Sequence, residues 1–288
     1  MKRSHSLLLL CALLAVSLVL SLAGCGSDND GCLPEALPPD AAIDSTLSTL
    51  RCRVVSVDEG GTMLLAGMDA GNPDIYTLGT GELTADVRLA AGDLVEVICG
   101  SVLVTYPMRF AEIESITVLP GEFDDRCALY LKVLEDLWNT DEGLNGDGVE
   151  YVSVDLSATS LARAERSAAA WIFAHAHDAE PLELSYDELC AQGYISGLER
   201  ENPFPAWENG VLFTITETDE PVAFNLPDIP QNEKEPSMAQ YNVKNTVSFD
   251  ASKWRTALGA YGFSQCIAVQ GNDGAWGDYS VNGGEWIS

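Results

Sequence analysis

Basic residues are scarce in this chain: 15 Lys and Arg stand against 44 Asp and Glu, a formal net charge of −29 over 288 residues. That balance repels phosphate backbones and anionic surfaces, so nucleic acid is excluded as a partner class. Histidine is nearly absent, with only His5, His175 and His177. Gly-x-Ser-x-Gly, Ser-x-x-Lys, His-Glu-x-x-His and a glycine-rich phosphate loop are all missing, which removes the common nucleophile, zinc-protease and nucleotide signatures. No two cysteines have Cys-x-x-Cys spacing, so neither a zinc knuckle nor a thioredoxin-type redox pair is indicated. No internal repeat is evident. After residue 22 no apolar run approaches the roughly 20 residues needed to span a bilayer.

What is present begins with Lys2 and Arg3, an uncharged apolar run from Leu7 to Leu22, and the quartet Leu22-Ala23-Gly24-Cys25. A basic start, an apolar core and small residues ahead of the cut have the layout of a secretory signal. The quartet resembles the lipobox of bacterial lipoproteins. That resemblance implies cleavage before Cys25, diacylglyceryl transfer to its sulfur, and a cell-membrane location facing the extracytoplasmic side. Two acyl chains hold a protein stably where one would not. Loss of residues 1–24 removes two basic and no acidic side chains, leaving a net charge of −31.

Cysteine usage fits an exported chain. With Cys11 in the signal and Cys25 lipidated, six cysteines remain: Cys32, Cys52, Cys99, Cys127, Cys190 and Cys266. Two readings stay open: three disulfides of undetermined connectivity, or buried free thiols, above all Cys99 in an apolar strand and Cys127 on a helix face.

With 47% hydrophobic residues the chain can build cores. Residues 25–48, rich in Asp, Pro, Ser and Gly, read as a flexible tether. From 49 to 121 short strand signals alternate with turns: Arg53–Val57, Met63–Ala66, Ile75–Leu78, Leu94–Cys99 and Phe110–Val118, with Gly60-Gly61 as a hairpin signal. Five strands in so short a span predict a small β-barrel. With Gly92-Asp93-Leu94-Val95-Glu96-Val97 opening the fourth strand, the pattern resembles small OB-like barrels of unknown function in Gram-positive lipoproteins. OB barrels often bind oligonucleotides or oligosaccharides. Four arginines against ten acidic residues between 50 and 120 give the wrong sign for a phosphate-tracking groove.

Residues 122–288 read as an α+β domain, so the expected fold class is α+β overall. A helix after Pro120-Gly121 presents Cys127, Tyr130, Leu131, Leu134, Leu137 and Trp138 on one face, with Asp124 or Asp125 as its cap. A strand Tyr151–Leu156 and a helix Ser160–His175 follow, the latter with a stripe of Leu161, Ala164, Ala168, Trp171, Ile172 and His175. Ser185-Tyr186-Asp187-Glu188 is a capping box and Gly193 a helix exit. Val211–Thr216 and Val222–Asn225 read as paired strands, and 226–240 as a loop. Then come a strand Asn242–Phe249, a helix Asp250–Tyr261 capped by Asp250, and a hairpin of Phe263–Gln270 with Ala275–Val281 across Gly271–Gly274. Leu129-Tyr130-Leu131, Lys253-Trp254-Arg255 and Leu258-Gly259-Ala260-Tyr261 resemble a domain of uncharacterised lipoproteins of anaerobic Gram-positive bacteria, a resemblance that implies no activity.

Candidate chemistry is sparse, and no catalytic, cofactor-binding or metal residue is assigned. On a helix His175 and His177 point about 200° apart and cannot share a metal, so they read as cations near a helix end, with His175 partly inward. Asp141–Glu150 looks like a calcium loop but lacks an oxygen side chain at its third position and a carboxylate at its twelfth, Val152. It reads as a turn with solvated acids. Trp207, between Pro205 and Glu208, is the candidate exposed aromatic for glycan stacking, while Trp254 and Trp276 read as core. The chain reads as a lipid-anchored binding or interaction module with the membrane, and a cell-envelope glycan or protein, as partners. Alternatives are an envelope hydrolase acting on glycan or peptide, and a metal-binding accessory protein.

Overall fold

The computed structural model describes residues 47–79, 81, 88–146, 148–199, 203–219, 246–271 and 273–288, all within the unit Ser45–Ser288. The expectations for Cys25, Cys32, the strand at 222–225 and the loop at 226–240 lie outside the described residues.

The described chain is mostly strand. Its first part is a closed barrel of β1 (Ser48–Val57), β2 (Met63–Gly67), β3 (Ile75–Leu78), β4 (Leu94–Leu103) and β5 (Met108–Val118), in the order β1-β2-β3-β5-β4. All neighbours are antiparallel except β3 and β5. Alternation explains the interior: Leu50, Cys52, Val54, Met63, Leu65, Tyr76, Leu78, Val95, Val97, Cys99 and Phe110 form one buried cluster. Tyr76 stacks on Phe110 with ring centroids 4.9 Å apart.

The second part is a six-stranded sheet, joined by α1 (Arg126–Asn139), α2 (Arg163–Ala176) and α3 (Tyr186–Gln192). Its strands are β6 (Tyr151–Asp155), β7 (Glu180–Leu182), β8 (Gly210–Thr218), β9 (Thr246–Thr256), β10 (Gly259–Val269) and β11 (Tyr279–Ile287), in the order β11-β10-β9-β8-β6-β7. β6 runs parallel to β7 and β8; the other pairs are antiparallel. Val211, Phe213 and Ile215 of β8 join the main core with α1 and α2, whereas Leu212 joins Leu189, Ile195 and Trp207 beside α3. Period two therefore places α3 on the opposite face of the sheet from α1 and α2.

The main core also contains Val55, Leu64, Ala66 and Ile75, the outward residues of β1, β2 and β3. Helix α2 packs over this side of the barrel, and its alanines Ala164, Ala168, Ala169 and Ala170 are all buried. Small side chains permit that close approach. A buried ion pair accompanies it: Arg53 Nε of β1 lies 3.7 Å from Glu165 Oε1 of α2. Arg53 also donates to the carbonyls of Gly92 and Glu122.

Several expectations need correction. Residues 250–261 are not a helix but the end of β9, a turn and the start of β10. Val247, Phe249, Ala251 and Lys253 are buried at alternate positions, the period of a strand. Asp250 caps no helix; its Oδ1 accepts from the Gln265 amide at 2.7 Å, at the bulge in β10. Asp125 flanks α1 without a side-chain capping bond, because its Oδ1 accepts from the Trp276 amide instead. Along α2 the buried stripe runs through Phe173 and Ala174, and His175 is exposed. The Ser185 capping box is formed as expected, and Gly193 ends α3 at φ 81° in the left-handed region.

Candidate functional site

The first turn of α1, the loop before α2, the end of β8 and the loop after β10 meet around a cavity of about 310 Å³, lined by Asp124, Arg126, Ser160, Glu217, Gln270 and Trp276 among others. The Arg126 guanidinium lies 4.8 Å from the Trp276 ring centroid, a cation–π arrangement. The Trp276 indole N–H and the Arg126 amide both donate to Asp124 Oδ1, at 3.0 Å each. Arg126 Nη1 donates to Ser160 Oγ, and the Ser160 hydroxyl donates to Glu217 Oε1 at 2.7 Å. The same Glu217 oxygen accepts from the Ser160 amide at 2.9 Å and from the Tyr130 hydroxyl at 2.6 Å. Burial, then the bond to Glu217, push the Tyr130 phenol far above its ordinary value, so it stays a donor.

This network fixes polar groups around a space but does not assemble a nucleophile. Acyl transfer needs a base in reach of the hydroxyl and oxyanion donors opposite it. The base-type partner of Ser160 is Glu217, which already holds three donors, and both described histidines are bound elsewhere. His175 Nδ1 lies 2.8 Å from the Trp171 carbonyl, while His177 stacks on Trp138 at 3.8 Å with its Nε2 3.2 Å from Glu135. The cavity presents arginine and indole faces, a hydroxyl and carboxylates.

A second cleft of about 390 Å³ lies between α1 and β11, with Lys132, Asp136, Asp278, Tyr279 and Glu285 on its walls. Lys132 Nζ is 3.0 Å from Asp136 and 3.4 Å from Asp278, and the Tyr279 hydroxyl donates to Asp136 at 2.9 Å. The hydrogen bond to Asp136 holds the Lys132 ammonium above its ordinary range. The Tyr279 amide and Lys132 hold the Asp278 carboxyl below its own.

No family model, curated protein or solved structure matches this chain.

The calcium-like loop has its cation built in. Lys253, fully buried at 0% exposure, sends its ammonium from β9 to the loop after α1. It donates to the carbonyls of Thr140 and Asp141, the latter at 3.0 Å, and to Asn145 Oδ1 at 2.9 Å, with the Trp138 carbonyl at 3.5 Å. The ammonium thereby satisfies carbonyls at and just beyond the open carboxyl end of α1. Burial pulls the ammonium down to about 8, opposed by Asp141 and Glu142, so it remains charged at neutral pH. The expectation of solvated acids missed this lysine. Its signal was its place in the alternation Val247, Phe249, Ala251, Lys253.

Among the described residues no group of three His, Cys, Asp or Glu could hold a metal ion. Trp207 is a correction: it is 0% exposed and packs beside Tyr194, with its indole nitrogen lacking a partner. The chain tucks it inward through Trp207 N to the Arg255 carbonyl and Ala257 N to the Pro205 carbonyl, both 2.8 Å. Gly210 is required there, because a Cβ would lie 2.0 Å from the indole ring. Of the two expected core tryptophans Trp276 is buried, while Trp254 is half-buried against Tyr186. Cys52, Cys99, Cys127, Cys190 and Cys266 are free thiols, all but Cys190 buried. Burial pushes Cys52 and Cys266 up to about 12 and Cys127 well above its ordinary value.

Proposed function

We propose that this chain is an extracytoplasmic lipoprotein, held at the cell membrane by lipid on Cys25, that works as a binding module through the Arg126–Trp276 cavity. The address rests on the Leu22-Ala23-Gly24-Cys25 quartet behind an apolar run. The observation that carries the binding reading is the polar network at the cavity, in which Asp124, Arg126, Ser160 and Glu217 are held by one another without a base, nucleophile and oxyanion donors in register. Its chemistry suits a small polyhydroxylated or amide-bearing group, such as a cell-envelope glycan or peptide end.

The barrel is read as OB-like, since β1-β2-β3-β5-β4 is a five-stranded closed order with a long β4–β5 hairpin. OB barrels present ligands to the face of strands 2 and 3. Here Leu64, Ala66 and Ile75 of that face are buried in the core with α1 and α2. The barrel is thus a base for the second region, read as an α+β layer, and recognition falls to the latter.

Intact mass of the membrane-purified protein tests the address: a diacylglyceryl adduct lost in Cys25→Ala is expected, and an adduct that persists sinks it. Titration with soluble envelope glycan and peptide fragments, followed by NMR, tests the site. Shifts at Trp276 Nε1–H that vanish in Arg126→Met are expected. Turnover of those fragments would replace binding with hydrolysis.

A further inference from the structure

The β4–β5 hairpin ends in Leu103-Val104-Thr105-Tyr106-Pro107, and this tip is the least covered apolar segment of the described chain. Val104 is 90% exposed, Tyr106 64% and Leu103 49%. No residue from Val97 to Met108 is charged, in a chain that is 20% charged overall. A run of exposed aliphatic and aromatic side chains is costly in water and marks a contact surface. Thr105 meets its polar needs within the tip: its amide donates to the Leu103 carbonyl at 2.9 Å and its hydroxyl to the Pro107 carbonyl at 2.7 Å. Exposed Arg109 stands at the base of the hairpin, opposite Leu103.

Strand register says which surface the tip meets. Ser48, at the start of β1, pairs with Cys99 of β4. The chain arriving from Cys25 therefore enters the barrel at the end from which the tip projects, beyond Cys99. Cys25 and Leu47 are 22 positions apart, a length that reaches at most about 75 Å when extended. Resting on the lipid anchor proposed above, we infer that the Leu103–Pro107 tip inserts into the outer face of the same bilayer, as a second contact that orients the barrel.

The physical case is effective concentration. A few apolar side chains bind a bilayer too weakly to hold a free protein, but an anchor makes their insertion intramolecular. Tyrosine suits the depth where headgroups meet acyl chains, and arginine behind it can reach lipid phosphate while its stem stays apolar. Partial burial, then the charges of Glu183 and Asp74, raise the Tyr106 phenol. Such carboxylates disfavour an anionic surface. A neutral lipid face therefore suits the tip better than the acidic remainder of the protein would suit any lipid.

The test uses the full lipidated chain, with an environment-sensitive nitrobenzoxadiazole probe on Val104→Cys in a Cys32→Ser background. Most described native thiols are buried, and a labelled parent without the added cysteine supplies the blank. A matching probe on Glu59→Cys, in the β1–β2 turn at the other end of the barrel, is the comparison. In phosphatidylcholine vesicles the probe at 104 is expected to shift to the blue and to lose intensity with doxyl-labelled lipid, while the probe at 59 does neither. Mixing in phosphatidylglycerol should weaken the effect. A probe at 104 that stays water-like overturns insertion, as does a blue shift without doxyl quenching, which would mean a protein contact such as a second copy. The intact mass of the same sample reports the anchor separately. An adduct at Cys25 with a water-like tip keeps the anchor and removes the insertion; a quenched tip without the adduct does the reverse.

Discussion

The barrel and the six-stranded sheet solve the same problem, burying strand faces, by opposite means. The barrel closes on itself and keeps charge out of its interior, whose described members are apolar side chains and two thiols. Among the described residues the sheet has β11 and β7 at its edges, and it brings an ammonium, Lys253, into its packed face. The barrel's one buried arginine, Arg53, lies on its outer side, where α2 supplies Glu165. Closure makes the barrel interior simple, whereas the open sheet must also finish the helix and loop lying on it. Lys253 does this by gathering the carbonyls at the end of α1.

Breaking either buried charge tests whether these two solutions belong to one cooperative unit. Arg53→Met leaves the Glu165 carboxylate buried and should cost about 3–5 kcal/mol at neutral pH, read by chemical denaturation. Burial already raises Glu165 above its ordinary value, so the folded state holds more protons than the unfolded one in the window above about 4.5. Stability from this group therefore falls as pH rises through that window, and the Arg53→Met penalty should shrink when Glu165 takes up its proton.

Lys253→Met should cost about 2–4 kcal/mol by stranding the oxygens of the loop after α1. The pH signature has the opposite sign. The folded ammonium titrates near 8 and the unfolded one near its ordinary 10.5. Between these values the unfolded chain binds more protons, so stability gains from this group as pH rises, and the variant should lose that gain. Denaturation at a series of pH values distinguishes the two sites by slope alone.

Leu64→Ala changes the outer face of the barrel without touching its interior, and should cost about 2–3 kcal/mol through the cavity left beneath α2. A single transition common to tryptophan fluorescence and circular dichroism is expected. Two separated transitions would show that the shared core does not couple barrel to sheet. Ser185→Ala removes the capping box of α3 and should cost only about 1 kcal/mol, measured as a small fall in Tm.

The barrel was readable because its five strands carry apolar residues at period two, bounded by turns, and the structure places all five within a few residues of the expected spans. Residues 250–261 were misread because the fourth inward position of β9 is a lysine. Without Lys253 counted as an inward residue, Ala251, Ala257, Leu258 and Ala260 look helical. Trp207 was misread for a similar reason: Pro205 and Glu208 mark a loop, and only tertiary hydrogen bonds to the carbonyls of Arg255 and Pro205 fold it inward. The cavity was not legible, since Asp124, Arg126, Ser160, Glu217 and Trp276 are scattered over 152 positions of chain. Local pattern reports which face a residue occupies, but not which distant loop will meet it.

The free thiols bear on where and when this protein can fold. Cys52, Cys99, Cys127 and Cys266 sit inside apolar clusters, protonated and out of reach of oxidants. None of the described core waits for a covalent crosslink. The described part of the unit can reach its native packing in a reducing or an oxidising medium alike.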